Sequence, residues 1–264
     1  MKKDTPKKTT DPPCPLAALV LAAGKGTRME SPIAKVLHRL DHRPMVHFTI
    51  DLAKTLGADP VVLVVGYQGD AVKAAAEGRD VLFAEQREQL GTGHAVAQAR
   101  EILESFPGDI LILCGDVPLL REETLRSLTK HHRDSGAAVT VLTTFLDDPG
   151  RYGRVIKTVG GRVLRIVEER DATEEEKRVK EINSGIYCAD CRFLFDAVSR
   201  ITDDNAQKEY YLTDIFQIAL EKGEKTASVV CRDPREVMGI NTPEELDEAQ
   251  KRLHLRRKQP NDPE

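Results

Sequence analysis

A chain of 264 residues, 40% apolar and 31% charged, carries enough material for one good core, or a core with a smaller lobe, and its composition excludes an unfolded chain. The net charge of −4 and a pI near 6.0 argue against a nucleic-acid binder, which needs a basic face. Five cysteines in this length do not form a disulfide framework, and an odd number of thiols fits a reducing cytoplasm.

Residues 1–15, rich in Lys, Thr and Pro, read as a disordered tail with solvated charges at Lys2, Lys3, Lys7 and Lys8. The basic start followed by the apolar run 16–23 imitates a secretory signal. That run is short, Asp4, Asp11 and several prolines interrupt its approach, and cleavage there would remove the Gly-rich loop that follows. No apolar stretch approaches the ~18 residues that span a bilayer, so no membrane insertion is expected.

Runs 16–21, 61–65, 81–84 and 110–113 are near-continuously apolar, as strands buried on both faces are. Segments 44–56, 71–76, 93–103 and 122–131 between them carry helical spacing, with Pro44 suited to a first turn and Thr92 to a cap. The alternation predicts an α/β fold, a Rossmann-like mainly parallel sheet with helices on both faces. The second half predicts strands at 138–145, 155–156, 163–167 and 182–187, read as a small β-rich section laid beside the sheet, and helices near 193–198 and 212–222. Thr242, Pro243, Glu244 and Glu245 open a final helix. Residues 16–255 form the domain, and 256–264 read as a flexible basic tail. Cys188 and Cys191 make a lone CxxC without a second pair or neighbouring histidine in the sequence, which argues against a zinc or redox centre.

The first strand runs into Leu21-Ala22-Ala23-Gly24-Lys25-Gly26-Thr27-Arg28-Met29. A Gly-rich turn after the first strand lets backbone N–H groups approach phosphate oxygens, and Lys25, Arg28 and Lys35 add positive charge. It is neither a Walker loop, which lacks this spacing, nor a dinucleotide fingerprint, which requires glycine where Met29 stands. A lone Gly-x-Gly reads as a solvated basic turn. Small Ala22-Ala23 before it and three cations after it favour a phosphate loop.

From this loop onward, over about residues 16–253, the chain resembles the N-terminal uridyltransferase domain of bacterial bifunctional N-acetylglucosamine-1-phosphate uridyltransferase/glucosamine-1-phosphate acetyltransferase. The resemblance rests on Lys35-Val36-Leu37-His38, Gln89-Leu90-Gly91-Thr92-Gly93-His94-Ala95, Gly115-Asp116-Val117-Pro118-Leu119, Tyr152-Gly153-Arg154 and Ile166-Val167-Glu168. Glu181-Ile182-Asn183-Ser184-Gly185, Asn205-Ala206-Gln207 with Glu209-Tyr210-Tyr211, and Gly239-Ile240-Asn241 follow in order. It implies a glycosyltransferase-A-like nucleotidyltransferase fold, with the β-rich section binding sugar. It also implies Mg²⁺-dependent transfer of a uridylyl group from UTP to N-acetylglucosamine 1-phosphate, with release of pyrophosphate.

Asp116 closes a buried strand, where a carboxylate can bind a hard cation or serve only as a turn residue. By resemblance it binds Mg²⁺ together with Asn241. Lys25 and Arg28 would meet the β- and γ-phosphates and Lys35 the α-phosphate region. Leu21, Ala22, Ala23, Gly24, Gln86, Gly91 and Thr92 would line the nucleotide, and Gly153, Glu168 and Asn183 the sugar. Taken alone, Glu168 is part of a charge run that reads as a solvated face. The chain departs from the family pattern at Ala34, where proline is common, at Lys208 and Arg151, where glycine is, and at Cys114, where tyrosine is. It shows no hexapeptide repeat, so acetyl transfer is not expected, and a monomer or weak homodimer is. The alternatives are the same chemistry on glucose 1-phosphate or with dTTP, and a non-catalytic UDP-sugar sensor.

Overall fold

The computed structural model describes residues 14–258. The first half builds β1 (Leu16–Ala22), the two-residue pair β2 (Arg39–Leu40) and β3 (Arg43–Pro44), α1 (Met45–Thr55), β4 (Val61–Val65), α2 (Gly69–Ala75) and β5 (Leu82–Glu85). Then come α3 (Thr92–Ala97), α4 (Arg100–Leu103), β6 (Asp109–Cys114) and α5 (Glu122–Ser135). The second half adds β7 (Val139–Phe145), β8 (Arg154–Lys157), β9 (Val163–Val167), β10 (Glu181–Asp190), α6 (Cys191–Val198), α7 (Ile215–Glu221), β11 (Thr226–Val230) and α8 (Pro243–Lys258).

One sheet runs in the order β11-β7-β10-β6-β1-β4-β5. β6, β1, β4 and β5 pair in parallel, as do β7 and β11, while β10 runs antiparallel to both its neighbours. The mainly parallel sheet is therefore as the sequence predicts. The β-rich section is not separate from it: β7, β10 and β11 are full members. Only the β8–β9 hairpin branches off, joined to β10 through Arg154 opposite Ile182.

Alternate strand residues face opposite sides. Leu19, Val62, Val64, Ile110 and Ile112 join one core with Val96 of α3, Leu194 of α6 and Phe216 of α7. Val20, Leu63, Val65, Leu111 and Leu113 join the other with Val46 and Ile50 of α1, Val72 of α2, and Leu125 and Leu128 of α5. Both faces are covered, which is why these strands read as unbroken apolar runs.

Several local expectations change. The helix expected over 93–103 is two pieces, broken around Gln98 and Ala99. Thr92 is the first residue of α3 rather than its cap, and its hydroxyl accepts from the Leu212 backbone N–H at 3.1 Å. Pro44 precedes α1 instead of opening it. Thr242 does cap α8: its hydroxyl accepts from Glu245 N–H, and the Glu245 carboxylate accepts from the N–H groups of Asn241 and Thr242, a reciprocal box. The domain edge expected at 255 falls inside α8, which continues to Lys258. Arg256 donates to the Leu119 carbonyl. The expected tail segments 1–13 and 259–264 lie outside the described residues.

Candidate active site

The chain moves from β1 to β4 and β5 on one side, then returns to place β6 on the other side of β1. A parallel sheet with this path has its crevice beyond the C-terminal ends of β1 and β6. There a cleft of about 280 Å³ is lined by Leu21, Ala22, Ala23, Gly24, Lys35, Gln86, Gly91, Thr92 and Asp116, all expected at the site. Val36, Gln89, Ala95, Cys114 and Glu209 complete it, residues not named as site-lining from the sequence, Cys114 having stood out only as a departure from the family pattern.

At one end of the cleft four groups from distant segments meet. Lys35 forms an ion pair with Asp116 and donates to Asn241 Oδ1 at 3.0 Å, and Arg28 Nη2 donates to the same oxygen at 2.9 Å. The Asn241 amide is oriented from behind, because its Nδ2 donates to the Gly239 carbonyl at 2.7 Å and so turns Oδ1 towards the cations. Ile240 N–H donates to the Asp116 carbonyl, and Ile240 packs with Leu40, Met45, Leu119 and Ala249 of α8. This small cluster holds the 239–241 segment against the end of β6. Gly26 permits the approach: it has φ +65°, and a Cβ there would fall 2.5 Å from Lys35 Cβ.

Lys25 is not part of this cluster. Its ammonium lies 5.6 Å from the centre of the Tyr67 ring, a cation–π contact on the β4 side of the loop. Ala34, buried before Lys35, has φ −56°, which proline would accept, but its N–H donates to Gln68 Oε1 at 2.7 Å. Alanine thus replaces a ring constraint with a hydrogen bond that anchors the loop.

At the other end, buried Gln86 donates through Nε2 to the Gly91 carbonyl at 3.0 Å and contacts His94 Nδ1 at 3.1 Å. A carbonyl can only accept, so this contact fixes the amide with Oε1 as its remaining group, an acceptor. Of the donor and acceptor halves of the Gln86 amide, only the acceptor is available. Gly91 has φ +112°, and a Cβ there would fall 2.6 Å from the Tyr210 carbonyl oxygen.

Beyond Cys114 a third group gathers. The Gly153 carbonyl accepts from Asn183 N–H, and a Cβ on Gly153 would meet both Glu168 carboxylate oxygens at 3.4 and 3.5 Å. Glu168 accepts from the Thr213 hydroxyl at 3.4 Å; burial raises its carboxyl above the usual range, and Asp171, Asp214 and Glu209 push the same way. Asp214 is pushed up to about 6 by burial, with Asp171 adding to it. The half-buried Cys114 thiol donates to the Gly185 carbonyl at 3.4 Å and is pushed up to about 12 by its loss of solvent, so it is a packing group rather than a nucleophile. Gly153, Glu168 and Asn183 therefore do come together. Glu168 is part of an acidic wall with Asp171 and Asp214, which local sequence could not assemble.

No helix among the described residues is long and apolar enough to cross a membrane. Residues 18–183 match the family described as MobA-like NTP transferase domain. The chain is 55% identical over 235 residues to the Bifunctional protein GlmU of Geobacter metallireducens, covering 89% of this chain and 49% of that protein. To the protein of the same name from Desulfotalea psychrophila it is 44% identical over 243 residues, covering 92% of this chain and 72% of that protein. The chain spans about half the length of most of these curated relatives. A solved structure titled "Putative Glucose-1-Phosphate Thymidylyltransferase", from Bacillus anthracis in complex with a sucrose, is 18% identical. It aligns at a TM-score of 0.66 over 89% of this chain and 94% of that one, a likeness of fold.

Proposed function

The chain belongs to the MobA-like NTP transferase domain family, and from that premise we propose that it transfers a uridylyl group from UTP to N-acetylglucosamine 1-phosphate in the cytoplasm. The observation that carries this reading is the meeting of Arg28, Lys35, Asp116 and Asn241 between the Gln86 end of the cleft and the Glu168–Asn183 wall. A nucleotide laid from Gln86 towards Arg28 would bring its phosphates to the cations, and an acceptor held at the wall would reach the same point.

The acceptor is a phosphate monoester, largely dianionic at neutral pH because its second pKa is about 6. Its oxygen attacks the α-phosphorus of UTP, the bond to the bridging oxygen breaks in line, and pyrophosphate departs with the electron pair. No proton has to be removed from the nucleophile. The protein's task is to hold two anions together and to neutralise the leaving group. Arg28 and Lys25 serve the departing pyrophosphate, Lys35 the α-phosphate, and the Gln86 Oε1 acceptor suits the N–H of a uracil edge.

Asp116 and Asn241 suit Mg²⁺. Both offer oxygen donors, both converge on one point, and the Lys35 ammonium already contacts both there, standing in for a cation. When bound, the ion would supply positive charge to the phosphates. Lys35, relieved of its contacts with Asp116 and Asn241, would then be free to meet the α-phosphate. Glu168 and Asn183 read the sugar hydroxyls and the N-acetyl group.

The test is pyrophosphate release with UTP, Mg²⁺ and each of N-acetylglucosamine 1-phosphate, glucosamine 1-phosphate and glucose 1-phosphate, repeated with dTTP. The N-acetylated sugar with UTP should give the strongest signal, and Asp116→Ala should lower it by at least ~10²-fold. Preference for glucose 1-phosphate or dTTP would reassign the substrate. No release with any pair would leave a UDP-sugar sensor.

A further inference from the structure

At the opposite end of β6 from the cleft, about 16 Å away along the strand, lies a second polar group that the proposed reaction does not use. Asp109 begins β6, His132 lies on α5 and Cys188 on β10, and all three are buried. One carboxylate oxygen, the imidazole Nε2 and the thiol sulfur lie within 4.8 Å of one another. His132 Nε2 stands 3.5 Å from Asp109 Oδ1. That is long for a hydrogen bond but close to the ~3.4 Å separating nitrogen and oxygen ligands of one tetrahedral zinc, given Zn–N and Zn–O bonds of about 2.0–2.2 Å. The Cys188 thiol, fully buried, makes no hydrogen bond among the described residues.

The surroundings match those of a supported metal centre. His132 Nδ1 is 2.9 Å from the Thr140 hydroxyl, which fixes the ring and leaves Nε2 pointing inwards. Arg133 Nε holds the other Asp109 oxygen at 2.7 Å and leaves Oδ1 for the site. Asp109 and His132 also line a cavity of about 610 Å³, which gives an ion a way in. Cys14 adjoins the group: Arg133 Nη2 donates to its carbonyl at 2.9 Å, and Asp109 acts on its thiol. The lone CxxC argued against a zinc centre because no histidine lies near it in sequence; the fold brings His132 to Cys188 from α5, while the Cys191 thiol instead donates to the Leu103 carbonyl at 2.9 Å.

We propose that Asp109, His132 and Cys188 bind a thiophilic divalent cation of the zinc class, with a water in the fourth position. A carboxylate and a thiolate neutralise the ion, and imidazole completes a set that zinc prefers to magnesium. Loading converts the buried thiol to a thiolate, so one proton is released per ion bound.

The test uses the full chain freed of metal by chelation and titrated with Co²⁺, then Zn²⁺. We expect one equivalent of Co²⁺ to produce a thiolate-to-cobalt charge-transfer band that Zn²⁺ removes, with one proton released to a weak buffer. The band should persist in Asp116→Ala, which removes the other metal site, and vanish in Cys188→Ala. Thr140→Val, a nearly isosteric change, should weaken Co²⁺ binding roughly 10–100-fold. Cys14→Ser should leave the band's intensity unchanged, since its thiol lies outside the ligand set. If the wild-type chain takes up Co²⁺ without a thiolate band, or Cys188→Ala keeps the band, the three groups are only a buried ion-pair network with Arg133 and the proposal fails. The wild-type spectrum decides this even if a variant does not fold.

Discussion

Replacing Gly91 by alanine would drive a methyl into the contact that closes the nucleotide end of the cleft. Its Cβ would lie 2.6 Å from the Tyr210 carbonyl oxygen and 2.8 Å from the Tyr210 nitrogen. Those two atoms hold the segments of this corner together, Tyr210 N–H donating to Leu90 and Gly93 N–H to Tyr210, each at 2.7 Å. Separating them forfeits about 1 kcal/mol for each of the two bonds. A φ of +112° with ψ 175° lies in territory essentially reserved for glycine, adding roughly 1–3 kcal/mol of strain. Alanine recovers about 0.5–1 kcal/mol by restricting the unfolded chain. The destabilising effects win, for a net loss of roughly 2–4 kcal/mol, or a fall in thermal midpoint of roughly 4–16 °C for a domain of this size. The Gly91 carbonyl would also shift from Gln86, so the nucleotide KM should rise. Scanning calorimetry and a nucleotide titration read both effects. A variant melting within about 1 °C of the parent, with unchanged KM, would refute the reasoning.

Two further substitutions probe the turn beside that corner and the acidic wall. Lys208 has φ +55°, a left-handed conformation that costs a side chain about 1–2 kcal/mol, whereas the entropy of glycine costs about 0.5–1. Its exposed pairing with Asp204 at 3.6 Å adds little. Lys208→Gly should therefore stabilise by roughly 0.5–1 kcal/mol, raising the urea midpoint at constant slope; a lower midpoint would contradict the strain. Asp214, pushed up to about 6, holds its proton more tightly folded than unfolded, where the value is about 3.9. Its contribution is greatest below about pH 4 and is lost as pH rises through 6. Asp214→Asn should accordingly gain on the parent in thermal midpoint between pH 5 and 7, and parallel curves would show that Asp214 does not titrate there.

Sequence legibility followed burial. Residues 61–65 read as a strand and are one, because Val61, Val62, Leu63, Val64 and Val65 are buried on both faces and need no alternation. β11, with the sequence Thr-Ala-Ser-Val-Val, escaped notice because an edge strand mostly half-buried carries no such run. The loop cations and Asp116 were visible because a phosphate loop and a strand-end carboxylate have local signatures. The acidic wall was not, since Glu168, Asp171 and Asp214 meet only through the return of distant segments. Gln86 was found, but which half of its amide is available depends on the Gly91 carbonyl and His94. Likewise, Cys188 read as half of a lone CxxC with no histidine nearby in sequence, while the fold sets it beside Asp109 and His132.

β10 runs against both strands that flank it, and this reversal bears on how such an enzyme can diversify. A parallel strand delivers only its final residues to the reactive edge and needs a covering helix to return. β10 delivers its opening residues instead, so Asn183 and Gly185 arrive beside Cys114 straight from a surface connection that also carries the β8–β9 hairpin. Insertions and deletions in that connection can recut the acceptor side, while the loop cations proposed to serve the phosphates, rooted in the first half of the chain, keep their positions. Inheritance of the transfer chemistry is thereby uncoupled from selection on what receives it.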